Sequence, residues 1–306
     1  MTREERNEDM QKEIFQEENR AKVKKWMIRT FKFLFLIILL FVSFFFYNTY
    51  VATSSFIVKE ERIVDSKLPE CFNGLKVIQF SDLHYGSTIN SKKLKKIVKM
   101  INRRKPDVVL FTGDLISKKK EISNKEQEKL IEQLRSINAS LGKYAIYGDE
   151  DNGENYSTIM NQSEFTILNN EYELIYNKDN NPILLMGISS EIQKLYDLQK
   201  SLSYYSTEGA NTEIFSIAMM HEPDITDDLL SERKVNLIVA GHSHNGYIRM
   251  PYLGTPFKIE GAKKYDQAFY DIKGTPLYVS SGLGTEGEGI RLFCRPSINF
   301  FRLSNK

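Results

Sequence analysis

All four histidines of this 306-residue chain stand just beyond short apolar runs. His84 follows the run over residues 75–81, His221 the run over 214–220, and His242 with His244 the run over 235–240. Runs this short, rich in Val, Ile and Leu and ended by Gly or Asp, read as buried strands. In open α/β sheets, ligand-binding groups gather outside the carboxyl ends of the strands. In Gly241-His242-Ser243-His244-Asn245-Gly246 the two imidazoles are one residue apart, so an extended backbone points both to one side. The flanking glycines let the backbone come close to something bulky. Imidazole is a common ligand for first-row metals, and an acid accompanies each histidine site. Satisfied structural histidines are the weaker reading, because the same placement recurs at every histidine.

Further apolar runs over 107–112, 143–147, 171–176, 183–188, 275–281 and 298–303 read as strands. The spacing predicts helices over 91–105 and 121–139. In the first, Leu94, Ile97, Val98 and Ile101 form one stripe, and Lys and Arg cover the rest. There are no repeats and no Pro- or Ser-rich linker, so residues 55–306 read as one α/β domain.

The N-terminal part is different. Residues 1–25 hold seven acids and seven bases and too few apolar residues for a core, so residues 1–30 read as a charged tail, either a solvated helix or disordered. Residues 33–47 then contain only one polar residue, Ser43, and the stretch 31–51 is long enough to cross a bilayer. Arg20, Lys22, Lys24, Lys25, Arg29 and Lys32 precede it with no acid among residues 19–32. The positive-inside rule then puts the N-terminus in the cytoplasm and the domain outside, on a single-pass anchor. A cleaved signal peptide is the rival, but the charged region before the apolar run is very long for one.

A formal charge of +2 argues against a dedicated nucleic-acid binder. The two cysteines, Cys71 and Cys294, are too few for a disulfide framework or a cysteine zinc site, and two separate thiols are expected.

Five strand ends deliver Asp82 and His84, Asp114, Asp149, His221, and His242 with His244. Seven oxygen and nitrogen donors are too many for one tetrahedral zinc and suit two divalent ions that share a bridging carboxylate. Ser81-Asp82-Leu83-His84, Thr112-Gly113-Asp114, Gly148-Asp149-Glu150-Asp151, His221 and Gly241-His242-Ser243-His244 resemble, in order, the blocks of the calcineurin-like metallophosphoesterases. Leu68-Pro69 through Gly86, and Gly282-Leu283-Gly284 with Ile290-Arg291-Leu292-Phe293-Cys294-Arg295-Pro296, look like its membrane-anchored bacterial YkuE/YaeI-type branch. The resemblance covers residues 55–303. It implies a four-layer α/β/β/α sandwich after the membrane helix. It also implies one ion on Asp82, His84 and His244, a second on Asp149, His221 and His242, and Asp114 as the bridge. Manganese is the first choice of metal, with iron, zinc or magnesium as alternatives.

The third block departs from the family's Gly-Asn-His-Asp/Glu. Asp149 stands where Asn ligates, and Glu150 where a His protonates the leaving group or holds phosphate. Glu150 and Asp151 are therefore the candidate catalytic groups. Three ligating carboxylates against two dications leave a net +1, where Asn would leave +2. The expected function is phosphoesterase action on a phosphorylated small molecule or lipid-linked substrate. The alternative is a metal-binding pseudoenzyme that holds a phosphorylated ligand or a partner protein.

Overall fold

The computed structural model describes residues 3–151, 153–286 and 289–306; Met1 and Thr2 of the expected tail lie outside the described residues, as does Asn152. The chain forms two compact units, residues 1–48 and 49–306.

The first unit is one helix, α1 (Arg3–Phe46). The charged tail and the apolar run share it because residues 3–46 contain no Gly or Pro and many Glu, Lys, Arg, Gln and Leu, which favour helix. Its apolar side chains, from Phe31 to Phe46, are exposed along the whole stretch. By length and composition the helix is a candidate membrane span.

The second unit is built on two six-stranded sheets. The first runs β1 (Ile57–Val64), β12 (Ser297–Ser304), β2 (Lys76–Phe80), β3 (Val108–Phe111), β4 (Lys143–Ala145) and β5 (Thr166–Ile167). The second runs β10 (Phe269–Ile272), β11 (Thr275–Val279), β9 (Leu237–Ala240), β8 (Ser216–Met220), β7 (Ile183–Gly187) and β6 (Tyr172–Ile175). In the first sheet β2, β3 and β4 are parallel; in the second, β7, β8, β9 and β11 are.

The sheets pack face to face through Val77, Leu110, Tyr144, Leu185, Ile217 and Leu237. The outer face of the first sheet is covered by α2 (Ser91–Asn102), α3 (Asn124–Arg135) and α4 (Gly153–Gln162), through Leu94, Ile97, Leu130, Leu134 and Ile159. The outer face of the second carries α5 (Leu198–Ser201) and α6 (Thr226–Glu232), through Leu198 and Leu229. The four α/β/β/α layers are therefore present. Burial on both faces explains why β3, β8 and β9 read as continuous apolar runs.

The two expected helices are shorter than their apolar stripes suggest. Asn90 caps α2, its side chain accepting from the Lys93 N–H at 3.0 Å. That helix stops at Asn102 rather than 105; Pro106 bars helix at Lys105, which takes left-handed backbone at φ 49°. A capping box between Ser123 and Glu126 starts α3 at Asn124 rather than 121. Neither cysteine is in a disulfide.

Candidate metal centre

The loops that leave β2, β3, β4, β8 and β9 meet between the sheets. Close backbone approach there needs glycine: a Cβ on Gly148 would lie 2.2 Å from Asp114 Oδ1, and one on Gly241 would lie 2.2 Å from Ser81 Oγ. The loops also hold strained backbone. Asp82, His84, Asp114, His242 and His244 have φ of 52°, 42°, 61°, 66° and 47°. Each such residue costs on the order of 1–3 kcal/mol, and conformations of this kind cluster where function requires them. Five of the seven expected ligands are therefore held in left-handed conformation, and all seven come together.

Two groups form. In the first, His84 Nε2 and His244 Nε2 are 3.2 Å apart, and His244 Nε2 is 3.4 Å from Asp82 Oδ1. In the second, Asp149 Oδ1 lies 2.9 Å from His242 Nδ1 and 3.0 Å from His221 Nε2. Each triad has its donor atoms within 4.8 Å of one another. Asp114 Oδ2 lies between them, 3.8 Å from His84 Nε2 and 3.4 Å from His221 Nε2.

The far sides of the rings fix which nitrogen faces inward. His221 Nδ1–H donates to the Thr112 carbonyl at 2.6 Å, and His242 Nε2–H donates to the Glu260 carbonyl at 2.6 Å. Each thereby turns its other nitrogen toward the centre, where it would ligate once its proton is lost. His244 stacks on Tyr247, with centroids 4.2 Å apart. The Cys294 thiol donates to the His244 carbonyl at 2.9 Å. Arg291, fully buried, donates to the carbonyls of Ser281, Gly282 and Gly284 and reaches within 3.2 Å of His244 Nδ1.

The electrostatics ask for a cation. Burial pushes Asp82 up, while hydrogen bonds from His221 and His242 overcome burial and hold Asp149 below the usual carboxylate range. Burial opposes a charge on His221 too, yet Asp114, Asp149 and Asp82 raise it well above its ordinary value. Burial first, then the positive charges of His84 and Arg291, drive His244 well down, which keeps it neutral as a ligand must be. Carboxylate oxygens and imidazoles that lose their protons on ligation are a donor set that fits divalent cations.

Glu150 and Asp151 do different things. Asp151 is buried, and its oxygens accept the N–H groups of Asp114 (2.9 Å), Gly148 (2.8 Å) and Leu115 (2.8 Å). Burial, and then the Asp114 charge, push it up to about 7. With both oxygens committed to backbone, Asp151 positions two loops, and it also lines the cavity beside Glu150. Glu150 instead aims at the back of a ligand, its Oε2 lying 3.2 Å from His84 Nδ1. Glu286, which sequence reasoning missed, lies 3.4 Å from the same nitrogen. Burial opposes a proton on His84, but Glu150 and Glu286, then Asp114 and Asp82, raise it to about 10. No periodicity marks Glu286, which sits in a glycine-rich turn far along the chain.

The family described as calcineurin-like phosphoesterase matches residues 75–246, a span that contains all seven of these residues. The chain belongs to that family. An uncharacterized metallophosphoesterase of Bacillus subtilis, YkuE, is 31% identical over 85% of this chain and 89% of its own length. A transmembrane protein with metallophosphoesterase domain from Danio rerio is 27% identical over 79% of this chain, which spans 56% of that relative. The UDP-2,3-diacylglucosamine pyrophosphatase LpxG of Chlamydia muridarum is 28% identical over 78% of this chain and 87% of its own length. Calcineurin-like phosphoesterases are metal-dependent hydrolases that use two divalent ions, and the two triads are this phosphoesterase's candidate groups for them. Beside them opens a cavity of about 670 Å³, lined in part by Asp149, Glu150 and Asp151 and by Ile116, Lys118 and Tyr156.

Proposed function

We propose that this phosphoesterase is tethered to a membrane and hydrolyses a phosphodiester, phosphomonoester or diphosphate outside the cytoplasm. The observation that carries the reading is Asp114, placed between two complete triads. Asp82, His84 and His244 would hold one ion, Asp149, His221 and His242 the other, and Asp114 both. Two dications there would supply Lewis acidity, neutralising phosphoryl oxygens and lowering the pKa of water. Three carboxylates make the set hard and favour manganese or magnesium.

The chain's own residues narrow the substrate. The third block offers a carboxylate, Glu150, where the family resemblance implies an imidazole for the leaving oxygen. A leaving group that needs little protonation, such as the phosphate of a diphosphate, suits that arrangement best. The relative named for a diphosphate bearing acyl chains supports the same direction. The cavity beside Glu150, which mixes apolar side chains with bases and acids, would receive the non-reacting part of the substrate. The tether rests on the apolar half of α1 and the basic run before it, and the outward orientation on their charge asymmetry.

Glu150 also favours a second reading, a domain that binds metal and a phosphorylated ligand without turning it over. Full-length protein in detergent, loaded with manganese and given a panel of diesters, monoesters and diphosphates, separates the two. Turnover abolished by Asp114→Asn supports the enzyme. Two bound ions per chain with no turnover on any member would establish the binding domain instead.

A further inference from the structure

We propose that the loop leaving the candidate metal centre after His244 inserts its tip into a lipid bilayer, so that the centre opens at headgroup level. The inference deepens the proposed function and rests on its reading of α1 as a membrane span.

The loop is a direct continuation of the ligand segment. Tyr247 stacks on His244 and accepts the Leu292 N–H at 3.0 Å, and the Arg249 N–H donates to the Leu292 carbonyl at 3.0 Å. Met250 and Gly254 then pair through two backbone hydrogen bonds, of 2.8 and 3.0 Å, around Pro251, Tyr252 and Leu253. The tip protrudes rather than folding back. Tyr252 is fully exposed, Leu253 is 81% exposed, and Phe257 and Phe293 are 67% and 68% exposed. Phe293 and Tyr252 line one shallow depression with Met250 and Pro251, which places the residues from the two segments side by side. Both also carry left-handed backbone, at φ 54° for Phe293 and 66° for Tyr252. A bulky residue in that conformation is an outlier. Here the strain presents an aromatic ring to solvent instead of burying it.

Contiguous exposed apolar side chains mark a contact with something other than water. The composition selects a bilayer as the occupant. Tyr and Phe rings belong at membrane interfaces, and bases beside them attract anionic headgroups. Four bases (Arg249, Lys258, Lys263 and Lys264) against two acids (Glu260 and Asp266) lie between residues 249 and 266. Lys258 donates to the Lys263 carbonyl at 2.8 Å and Arg249 to the Asp266 carbonyl at 2.7 Å; both bases also share the Asp266 carboxylate, at 4.0 and 3.7 Å, and Lys264 pairs with Asp227. A domain on a membrane tether also meets a bilayer at high effective concentration. The phosphate esters that such a placement offers the centre are those held at headgroup level.

The test uses the full chain with its only tryptophan removed, Trp26→Phe, and a reporter introduced as Leu253→Trp. An exposed site of this kind tolerates the change. A second chain carries Tyr176→Trp, at a half-exposed position elsewhere in the domain, as reference. Both go into vesicles of phosphatidylcholine and phosphatidylglycerol with bromine on the upper acyl chain. At least twofold quenching and a blue shift for Leu253→Trp, with Tyr176→Trp unaffected, are expected. Retention after an alkaline wash with no quenching at Leu253→Trp overturns the inference and leaves the tether standing. Quenching without retention overturns the tether, and with it the ground on which the inference rests. Loss of both overturns both. A blue shift that ignores bromine and grows with protein density assigns the tip to a second copy of the chain, and overturns the inference as well.

Discussion

The carboxylate of Asp151 accepts the backbone N–H of Asp114 at 2.9 Å, and so fixes the residue whose side chain lies between the two triads. Asp151→Asn keeps the shape and loses the charge. We expect the metal concentration for half-activation to rise about 10–100-fold, the usual range for a group that orients a ligand. Turnover at saturating metal should stay within several-fold of the parent. A large fall in turnover with unchanged metal dependence would make Asp151 a participant in chemistry, against its geometry.

Asp114→Asn weakens both triads together. Bound metal should fall below one ion per chain, and activity by at least about 100-fold. Elemental analysis of the purified variant checks this directly. Two ions retained would show that Asp114 is not shared.

Glu150 and Glu286 both reach His84 Nδ1. Each can hold the ring when the other is lost, so Glu150→Gln and Glu286→Gln should each have a small effect on metal affinity, and the pair a much larger one. A double-mutant cycle read by metal titration measures that coupling. Strict additivity would mean that the two carboxylates act separately.

Metal uptake should release protons. In the metal-free chain His84 is held up at about 10 by Glu150 and Glu286 against the opposing effect of burial. An imidazole must lose its proton to ligate, so affinity climbs as pH rises toward that value and falls as pH drops below it. Calorimetry in buffers of different ionisation enthalpy counts the protons. An enthalpy independent of buffer would contradict the expectation.

A reporter fused after Lys306 addresses topology. It should be active only if it functions after export. Activity of a strictly cytoplasmic reporter at that position would reverse the proposed orientation.

Much of the architecture was legible because the central strands are buried on both faces. The runs that became β3, β8 and β9 had to be apolar throughout, and their ends had to carry the polar groups the centre uses. The edges were not legible. Strand β1 carries Lys59, Glu60, Glu61 and Arg62 in succession, since one side of it meets solvent, and no alternation marks it. Strand β10 is an exposed antiparallel edge of four residues. The seven donors could be collected from motifs, but motifs say nothing about which way a neighbouring carboxylate turns. Asp151 faces backbone N–H groups, and Glu150 faces the back of His84. Both orientations depend on loops that lie far apart in the chain.

Strand β1, the first of the second unit, lies parallel to the last, β12, in register from Ile57 with Ser297 to Val64 with Ser304. Arg62 reaches the Lys306 carbonyl at 2.6 Å, and Arg302 binds Glu60 at 2.5 Å. Tension entering from the N-terminal side pulls β1 along its own length. The whole eight-residue ladder then bears the load in shear, and its bonds cannot peel open one after another. On the proposed tether the domain would be held through this ladder, and β2, β3 and β4, whose ends carry Asp82, His84, Asp114 and Asp149, lie behind it in the order of the sheet.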